Sequence, residues 1–292
     1  MSTLNGTATA DRYVVIGNPI AHSKSPAIHA HFSLLTAQLI DYQRLLAPLD
    51  GFAQTVLSFR DSGGKGANVT VPFKLEAFAL ATQLTPRAQA AGAVNTLKFE
   101  GAVILGDNTD GQGLVADIVR NARVTLQGKR VLLLGAGGAA RGALLPLLEQ
   151  QPAQLVIANR TVARAEELVL LAHQYEPLAG IASIVTSSAF SDVNGEFDIV
   201  INATSASLHD DVPPVSSGIF TANTLAYDMM YGAAPTAFLR FAASHEAQIR
   251  DGLGMLVEQA AVAFALWRGV LPETASVLAE LRSALMAAAR SS

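Results

Sequence analysis

Val131-Leu132-Leu133-Leu134-Gly135-Ala136-Gly137-Gly138-Ala139-Ala140-Arg141 is the stretch on which the fold turns. Its first four side chains are uninterrupted aliphatics, the pattern of a strand covered on both faces of a parallel sheet. The residues that follow read G-x-G-x-x-A, and an apolar helical pattern then runs to about Glu149. Strand, glycine turn and helix in this order form the dinucleotide-binding unit, whose glycines let the backbone approach a pyrophosphate at the helix N-terminus. The next apolar run, Leu155 to Ala158, leads into Asn159-Arg160-Thr161-Val162-Ala163-Arg164. An NAD enzyme carries Asp or Glu here, about 20 residues beyond the fingerprint, for the ribose 2′-hydroxyl. Two guanidiniums instead bind a 2′-phosphate with forked, charge-assisted hydrogen bonds, which predicts NADP(H).

Upstream, a second decisive stretch is Gly63-Gly64-Lys65-Gly66-Ala67-Asn68-Val69-Thr70-Val71-Pro72-Phe73-Lys74. It reads as a strand over 68–71, followed by a helix that Pro72 opens. Lys74 falls in the first turn, where a cation is mildly disfavoured by the helix dipole. A lone lysine there is an ordinary surface charge. This one stands beside Asn68 and Thr70 near the carboxyl end of a strand, where open α/β sheets bind ligands.

The rest of the N-terminal half alternates in the same way. Tyr13 to Gly17 is a short buried strand, and Ser25 before Pro26 is a good N-cap with proline at N1, opening a helix to about Leu39. Ser23 and Ser25 serve as capping hydroxyls or, with free helix N–H groups, as a carboxylate site, and the two readings are compatible. A strand over 42–46 and a helix over 48–60 follow, then a helix over 73–80 and a strand around Ala91 to Thr96. Strands alternating with helices predict a mostly parallel sheet. Asp107 and Asp110, in Gly106-Asp107-Asn108-Thr109-Asp110-Gly111, are candidates for turn residues or for chemistry. Past the fingerprint, strands are expected over 197–201 and 225–228, with a surface loop over 206–217. Asp251 to Met255 reads as a Gly-rich hinge before a long apolar helix carrying Glu258 and Gln259, and Pro272 starts a last helix.

Composition bounds the function. The chain has 292 residues, half of them hydrophobic and 15% charged, enough for two packed domains. The net charge is −4 with no basic run, so nucleic acid is not an expected partner. There is no cysteine, and the 6 histidines have no ligand spacing, so no metal is expected. Residues 1–11 lack the features of a signal peptide and read as a frayed tail, and no apolar run is long enough to span a membrane. A cytoplasmic protein is expected.

His22-Ser23-Lys24-Ser25-Pro26, Asn68 to Lys74, Gly92-Ala93-Val94-Asn95-Thr96 and Asn108-Thr109-Asp110-Gly111 stand together with Gly135 to Ala139, Asn159-Arg160-Thr161, Tyr227-Asp228 and Asp251 to Met255. In combination they resemble the shikimate dehydrogenase family, from about Tyr13 to the last helix. The resemblance implies NADPH-dependent reduction of 3-dehydroshikimate to shikimate, in chorismate and aromatic amino-acid biosynthesis. It implies two α/β domains: a substrate-binding domain over 12–110 plus 253–292, to which the C-terminal helices return, and a Rossmann NADP domain over 111–252. Hinges are expected near Gly111 and Gly252.

By position, Lys74 and Asp110 match the family's catalytic pair. Reduction of a ketone leaves an alkoxide that must be protonated, and oxidation needs a base at the same oxygen. Ser23 and Ser25 match the residues for the substrate carboxylate, with Tyr231 near that end; Thr70, Asn95 and Gln259 match those for the ring hydroxyls. Gly135, Ala136, Gly137, Gly138 and Ala139 match the pyrophosphate turn, and Asn159, Arg160, Thr161 and Arg164 the adenosine-phosphate site. Met229 and Gly252 match positions beside the nicotinamide. The chain departs from the family at Ala206-Ser207-Leu208, where glycine often appears. The expected partner is the small-molecule substrate, with the chain a monomer or homodimer. Two rival readings are a quinate/shikimate dehydrogenase of broader cofactor use, against which Arg160 and Arg164 argue, and a non-catalytic NADPH or shikimate sensor, against which Lys74 and Asp110 argue.

Overall fold

Aliphatic runs alternating with amphipathic helices fold into two six-stranded sheets. The computed structural model describes residues 9–174 and 182–291, so most of the expected N-terminal tail lies outside the described residues. Asp11, the tail's last expected residue, begins the first strand instead, and its carboxylate pairs with Arg268.

The first sheet uses β1 (Asp11–Gly17), β2 (Ile40–Leu46), β3 (Gly66–Val69), β4 (Gln83–Leu84), β5 (Thr96–Glu100) and β6 (Val103–Asp107), in the order β2-β1-β3-β5-β6-β4. β1 lies parallel to β2 and β3, and β4 parallel to β6, while β3–β5 and β5–β6 are antiparallel. The short β4 and the hairpin partner β6 are additions to the elements legible in the sequence. Helices α1 (Ser25–Thr36), α2 (Phe52–Asp61), α3 (Lys74–Leu80) and α4 (Pro86–Ala91) punctuate the strands. Side chains on β1 alternate between faces: Val14 and Ile16 join Phe52, Val56 and Phe73, whereas Tyr13 and Val15 pack with Tyr42 and Trp267.

The second sheet uses β7 (Arg130–Leu134), β8 (Gln154–Ala158), β9 (Val185–Ser188), β10 (Ile199–Asn202), β11 (Leu225–Asp228) and β12 (Gln248–Asp251), in the order β12-β11-β10-β7-β8-β9. Every pairing is parallel. This is the doubly wound dinucleotide-binding order, with its switch point between β7 and β10. Both faces of β7 are covered: Val131 and Leu133 pack with residues of α5 (Asp110–Ala116), α6 (Gly138–Glu149) and α7 (Val162–Gln174), and Leu132 and Leu134 with Phe238 and Leu239 of α8 (Ala237–Ala243). The Gly-rich segment at 251–255 forms the end of β12 and the first turn of α9 (Leu253–Arg268). The chain closes with α10 (Ala275–Ser291).

One compact unit comprises residues through Ala88, Ala93–Asn108 and Ala260–Glu273; the other comprises Gln89–Gly92, Thr109–Gln259 and Thr274 onward. The C-terminal part thus divides, where the sequence assigned all of 253–292 to the first domain. Residues 260–273 join the first unit, where the Trp267 indole N–H donates to the Leu97 carbonyl at 2.9 Å. α10 joins the second, where Arg282 pairs with Asp251 and the Thr274 hydroxyl donates to Glu258 at 2.7 Å.

Behind β1 and β2, His29 is wholly buried, stacked on Tyr42 with ring centroids 4.1 Å apart and flanked by Phe32, Phe264 and Trp267. Neither ring nitrogen has a hydrogen-bond partner of good geometry, although Asn68 lies close enough to oppose desolvation. Burial pushes its pKa down to about 3. An unfolded chain takes up this proton near pH 6.5 and the folded chain does not, so stability is lost as pH falls from there, by up to about 1.4 kcal/mol per pH unit. His29→Phe is expected to flatten that part of the curve, read as a smaller drop in urea midpoint between pH 7 and pH 5 than in the parent protein.

Candidate cofactor and substrate sites

In the first unit the expected substrate residues gather at the carboxyl end of β3 and the start of α1. Lys24, not Ser25, occupies the N-cap of α1. Ser25 is the first helical residue, and the Ser23 hydroxyl accepts its N–H at 3.3 Å and donates to its hydroxyl at 3.3 Å. Arg44 holds this turn from β2 by donating twice to the Ser23 carbonyl, at 2.6 and 3.1 Å.

From Ser25 a buried polar chain runs inward. Ser25 lies close to the Tyr42 hydroxyl, which donates to Asn68 Oδ1 at 2.7 Å. The Asn68 amide donates to Thr96 Oγ1 at 3.0 Å, and Thr96 donates to Asn95 Oδ1 at 2.9 Å. Ser23 and Ser25 therefore adjoin a chain that reaches Asn95 through Tyr42, Asn68 and Thr96. Burial drives the Tyr42 phenol pKa well above its ordinary value, so it remains a hydrogen-bond donor. Sequence reasoning does not single out Tyr42 and Thr96, whose only signal is a polar tip on an inward position of a strand.

Thr70 and Lys74 follow β3 directly. The Thr70 N–H donates to Ile16 O at 2.9 Å, and Lys74, half-buried, is the first residue of α3. Backbone bonds tie this corner to Asn95: Val94 N–H donates to Lys74 O, Val69 N–H to Asn95 O, and Asn95 N–H to Asp107 O. Of the two aspartates weighed for chemistry, Asp107 is structural. Its buried carboxylate accepts from Arg87 Nε at 2.7 Å, more closely from Arg87 Nη2, from Thr85 Oγ1 at 2.6 Å and from the Asn108 N–H at 2.8 Å.

In the second unit Asp110 is half-buried as the first residue of α5, where the helix dipole favours a carboxylate. Next to it, Thr109 Oγ1 donates to Gln259 Oε1 at 3.2 Å, which brings Gln259 of α9 to the same turn. Gly135 follows β7 with φ +103°, a conformation that favours glycine, and its N–H donates to Ala158 O at 2.7 Å. A Cβ built on Gly137 or Gly138 meets no atom within 4 Å, so the start of α6 faces open space. The first N–H groups of a helix lack intrahelical partners and form an anion site there. Asn159 follows β8 and donates to the Thr161 carbonyl at 2.8 Å; Arg160, Thr161 and Arg164 are exposed. Among the described residues neither guanidinium has a carboxylate partner. Open backbone, helix terminus and two uncompensated arginines fit a dinucleotide bearing a 2′-phosphate.

Across the switch point, Met229 and Gly252 extend the ends of β11 and β12. Met229 N–H donates to Asn202 O and Gly252 N–H to Met230 O, both at 3.0 Å. A Cβ on Gly252 would lie 2.1 Å from the Met229 carbonyl oxygen. Tyr231 is half-buried, its phenol pKa raised by burial and by the charge of Asp251. The loop in doubt at Ala206–Leu208 is a short turn whose Ser207 hydroxyl donates to the buried Asp228 at 2.6 Å. Asp228 also accepts from Thr236 Oγ1 at 2.6 Å, Asn202 Nδ2 at 3.3 Å and the Met230 N–H at 3.0 Å.

One unit with an all-parallel doubly wound sheet and this glycine turn, and another α/β unit carrying a half-buried lysine among hydroxyl and amide groups, define a two-unit dinucleotide-dependent oxidoreductase. Sequence comparison assigns the family. The shikimate dehydrogenase substrate binding domain matches residues 15–97, shikimate / quinate 5-dehydrogenase matches 117–209, and the shikimate 5′-dehydrogenase C-terminal domain matches 252–282. The NADP(+) shikimate dehydrogenase of Herminiimonas arsenicoxydans is 67% identical over 94% of this chain and 98% of its own. The shikimate 5-dehydrogenase of Thermus thermophilus, solved with NADP(H) and shikimate, superposes with a TM-score of 0.81 at 30% identity, covering 94% of this chain and 100% of its own. The 5-ketofructose reductase of a Gluconobacter strain superposes at 0.80 with 28% identity, over 94% and 99%. The chain belongs to the shikimate dehydrogenase family.

The glycines make opposite predictions. Gly252→Ala forces the ends of β11 and β12 apart and is expected to cost about 1–3 kcal/mol, read as a lower urea midpoint. Gly137→Ala enters open space and is expected to stay within about 0.5 kcal/mol of the parent.

Proposed function

We propose that Lys74 and Asp110 carry the proton chemistry of this oxidoreductase, which reduces 3-dehydroshikimate to shikimate with NADPH in the shikimate pathway. The observation that carries this reading is Lys74 itself: half-buried, fixed by its carbonyl to Val94, and grouped with Thr70 and Asn95 at the carboxyl end of β3. NADPH, when bound, supplies the hydride. Lys74 delivers a proton to the oxygen that becomes charged as the ketone is reduced, and takes it back in the oxidation direction. Asp110 orients the ammonium and accepts from the adjacent ring hydroxyl.

The remaining residues bind and orient. Ser23 and Ser25 hold the substrate carboxylate, backed by Tyr42, with Tyr231 near that end. Thr70, Asn95 and Gln259 hold the ring hydroxyls, so that a buried amide left unpaired would penalise an analogue lacking one. Gly135 to Ala139 cradle the pyrophosphate; Asn159, Arg160, Thr161 and Arg164 hold the adenosine 2′-phosphate; Met229 and Gly252 flank the nicotinamide. In functional terms residues 12–110 with 253–292 serve substrate binding and 111–252 cofactor binding, although α10 packs in the second compact unit. The enzyme acts in the cytoplasm as a monomer or homodimer.

Lys74→Ala is expected to lower kcat by about a hundredfold or more while shikimate binding changes little. Near-normal turnover would remove Lys74 from its role. Replacing Arg160 and Arg164 together by Ala is expected to raise the KM for NADP far more than that for NAD, because only the former loses charge-assisted bonds. Equal increases would show that the pair does not read the 2′-phosphate.

A further inference from the structure

The segment after β11 carries Met229 and Tyr231 in irregular backbone, with no helix or strand of its own until α8. Three attachments fix its shape. Asp228 caps its start through the Met230 N–H, and the Gly252 N–H binds the Met230 carbonyl. The third comes from the far end of the chain: on α10, Arg282 Nη1 donates to the Gly232 carbonyl at 3.2 Å and to Asp251 Oδ2 at 2.7 Å, while its Nη2 donates to Asp251 Oδ1. Asp251, largely buried, in turn accepts the Leu253 N–H at 3.3 Å.

One guanidinium therefore spans the residue after Tyr231 and the residue before Gly252. We infer that Arg282 is a positioning residue: from the C-terminal helix it clamps the Tyr231 loop to the end of β12 and so sets the nicotinamide and substrate end of the site. Its bonds in the structure go to Asp251 and the Gly232 carbonyl, which is the work of a positioning group. A planar five-donor fork suits this geometry, whereas a lysine ammonium is a point charge that serves one partner well. The bonds of Arg282 go to Gly232 and Asp251, near the ends of β11 and β12, whereas Gly135 to Ala139 and Arg160 stand at the ends of β7 and β8. The clamp is therefore expected to act on one half of the cofactor site only. This inference rests on the placement of Met229, Tyr231 and Gly252 beside nicotinamide and substrate.

The test uses the full chain with Arg282→Ala, Arg282→Lys and, in parallel, Tyr231→Phe. Arg282→Ala is expected to raise the shikimate KM about tenfold, as a small misplacement of binding groups does. Binding of 2′,5′-ADP, which probes the adenosine side alone, should stay within about twofold by titration calorimetry. Guanidinium chloride at millimolar, non-denaturing concentration should restore part of the lost activity, a rescue that a general loosening of the fold does not give. Arg282→Lys should also raise the shikimate KM, because one ammonium cannot hold both partners; it carries the test where the alanine variant does not fold. A shikimate KM unchanged in either variant, or a parallel loss of 2′,5′-ADP binding, overturns the clamp. Tyr231→Phe separates the two layers: an unchanged KM there, with a raised KM in Arg282→Ala, removes Tyr231 from the site while the clamp on Gly252 stands.

Discussion

The burial of β7 on both faces is the constraint from which the second unit follows. Val131, Leu132, Leu133 and Leu134 are each wholly buried. Each contributes roughly 1.5–3 kcal/mol if kept from water, which requires helices above and below the strand. Helices on both faces demand right-handed crossovers and hence parallel neighbours. A parallel sheet points every strand's carboxyl end the same way. Gly135, Asn159, Asn202, Met229 and Gly252 then meet at one edge because their strands have no alternative direction.

Polar groups that cannot reach water fix the details that hydrophobicity leaves loose. Asp107, Asp117 and Asp228 are all fully buried carboxylates, and each is surrounded by donors. Asp117 accepts from Tyr227 at 2.8 Å, Asn121 at 2.8 Å and Arg250 at 2.7 and 2.5 Å. Its charge and burial together raise the Tyr227 phenol well above its ordinary pKa, keeping that donor protonated. Removing one partner of such a group would cost about 3–5 kcal/mol, because the other charge stays buried. Each carboxylate anchors a segment next to candidate site residues: Asp107 beside Asn95, Asp228 at the base of the Met229 loop, and Asp117 below the turn into α9. Irregular backbone near the sites is thus held by ionic hubs in place of secondary structure.

This division of labour explains what the sequence makes legible. The apolar strands and the glycine turn announce themselves through local patterns, so the α/β class and the dinucleotide order are readable without coordinates. Short or edge elements are not: β4 has two residues, and β12 lies at the sheet edge with a polar sequence, so neither carries a period to detect. Asp107 and Asp110 look alike in one dimension, and only Arg87, arriving from 20 residues away, separates an anchored anion from a candidate catalyst. The Tyr42–Asn68–Thr96–Asn95 chain is illegible for the same reason, since hydrogen bonds between distant strands leave no spacing. Ser25 is the first helical residue and not the cap, and Ser23, two residues earlier, supplies the hydroxyl that accepts its N–H.

Cofactor choice and substrate choice rest on different kinds of evidence in this molecule. On the cofactor side an exposed pair of guanidiniums follows β8, and charge of that kind is readable from the sequence at single positions. Substrate is written in geometry. A 5-ketofructose reductase shares the architecture at a TM-score of 0.80, so the fold accommodates more than one hydroxy-ketone and cannot by itself select shikimate. Selection has to come from the polar atoms that line the pocket and from how rigidly they are held. A hydroxyl or amide loosened by an ångström loses both its bond and its power to reject an analogue. Buried bonds hold the side chains of Asn68, Thr96 and Asn95 in the first unit, and the Asp228 and Arg282 attachments fix the segment from Met230 to Gly232 in the second.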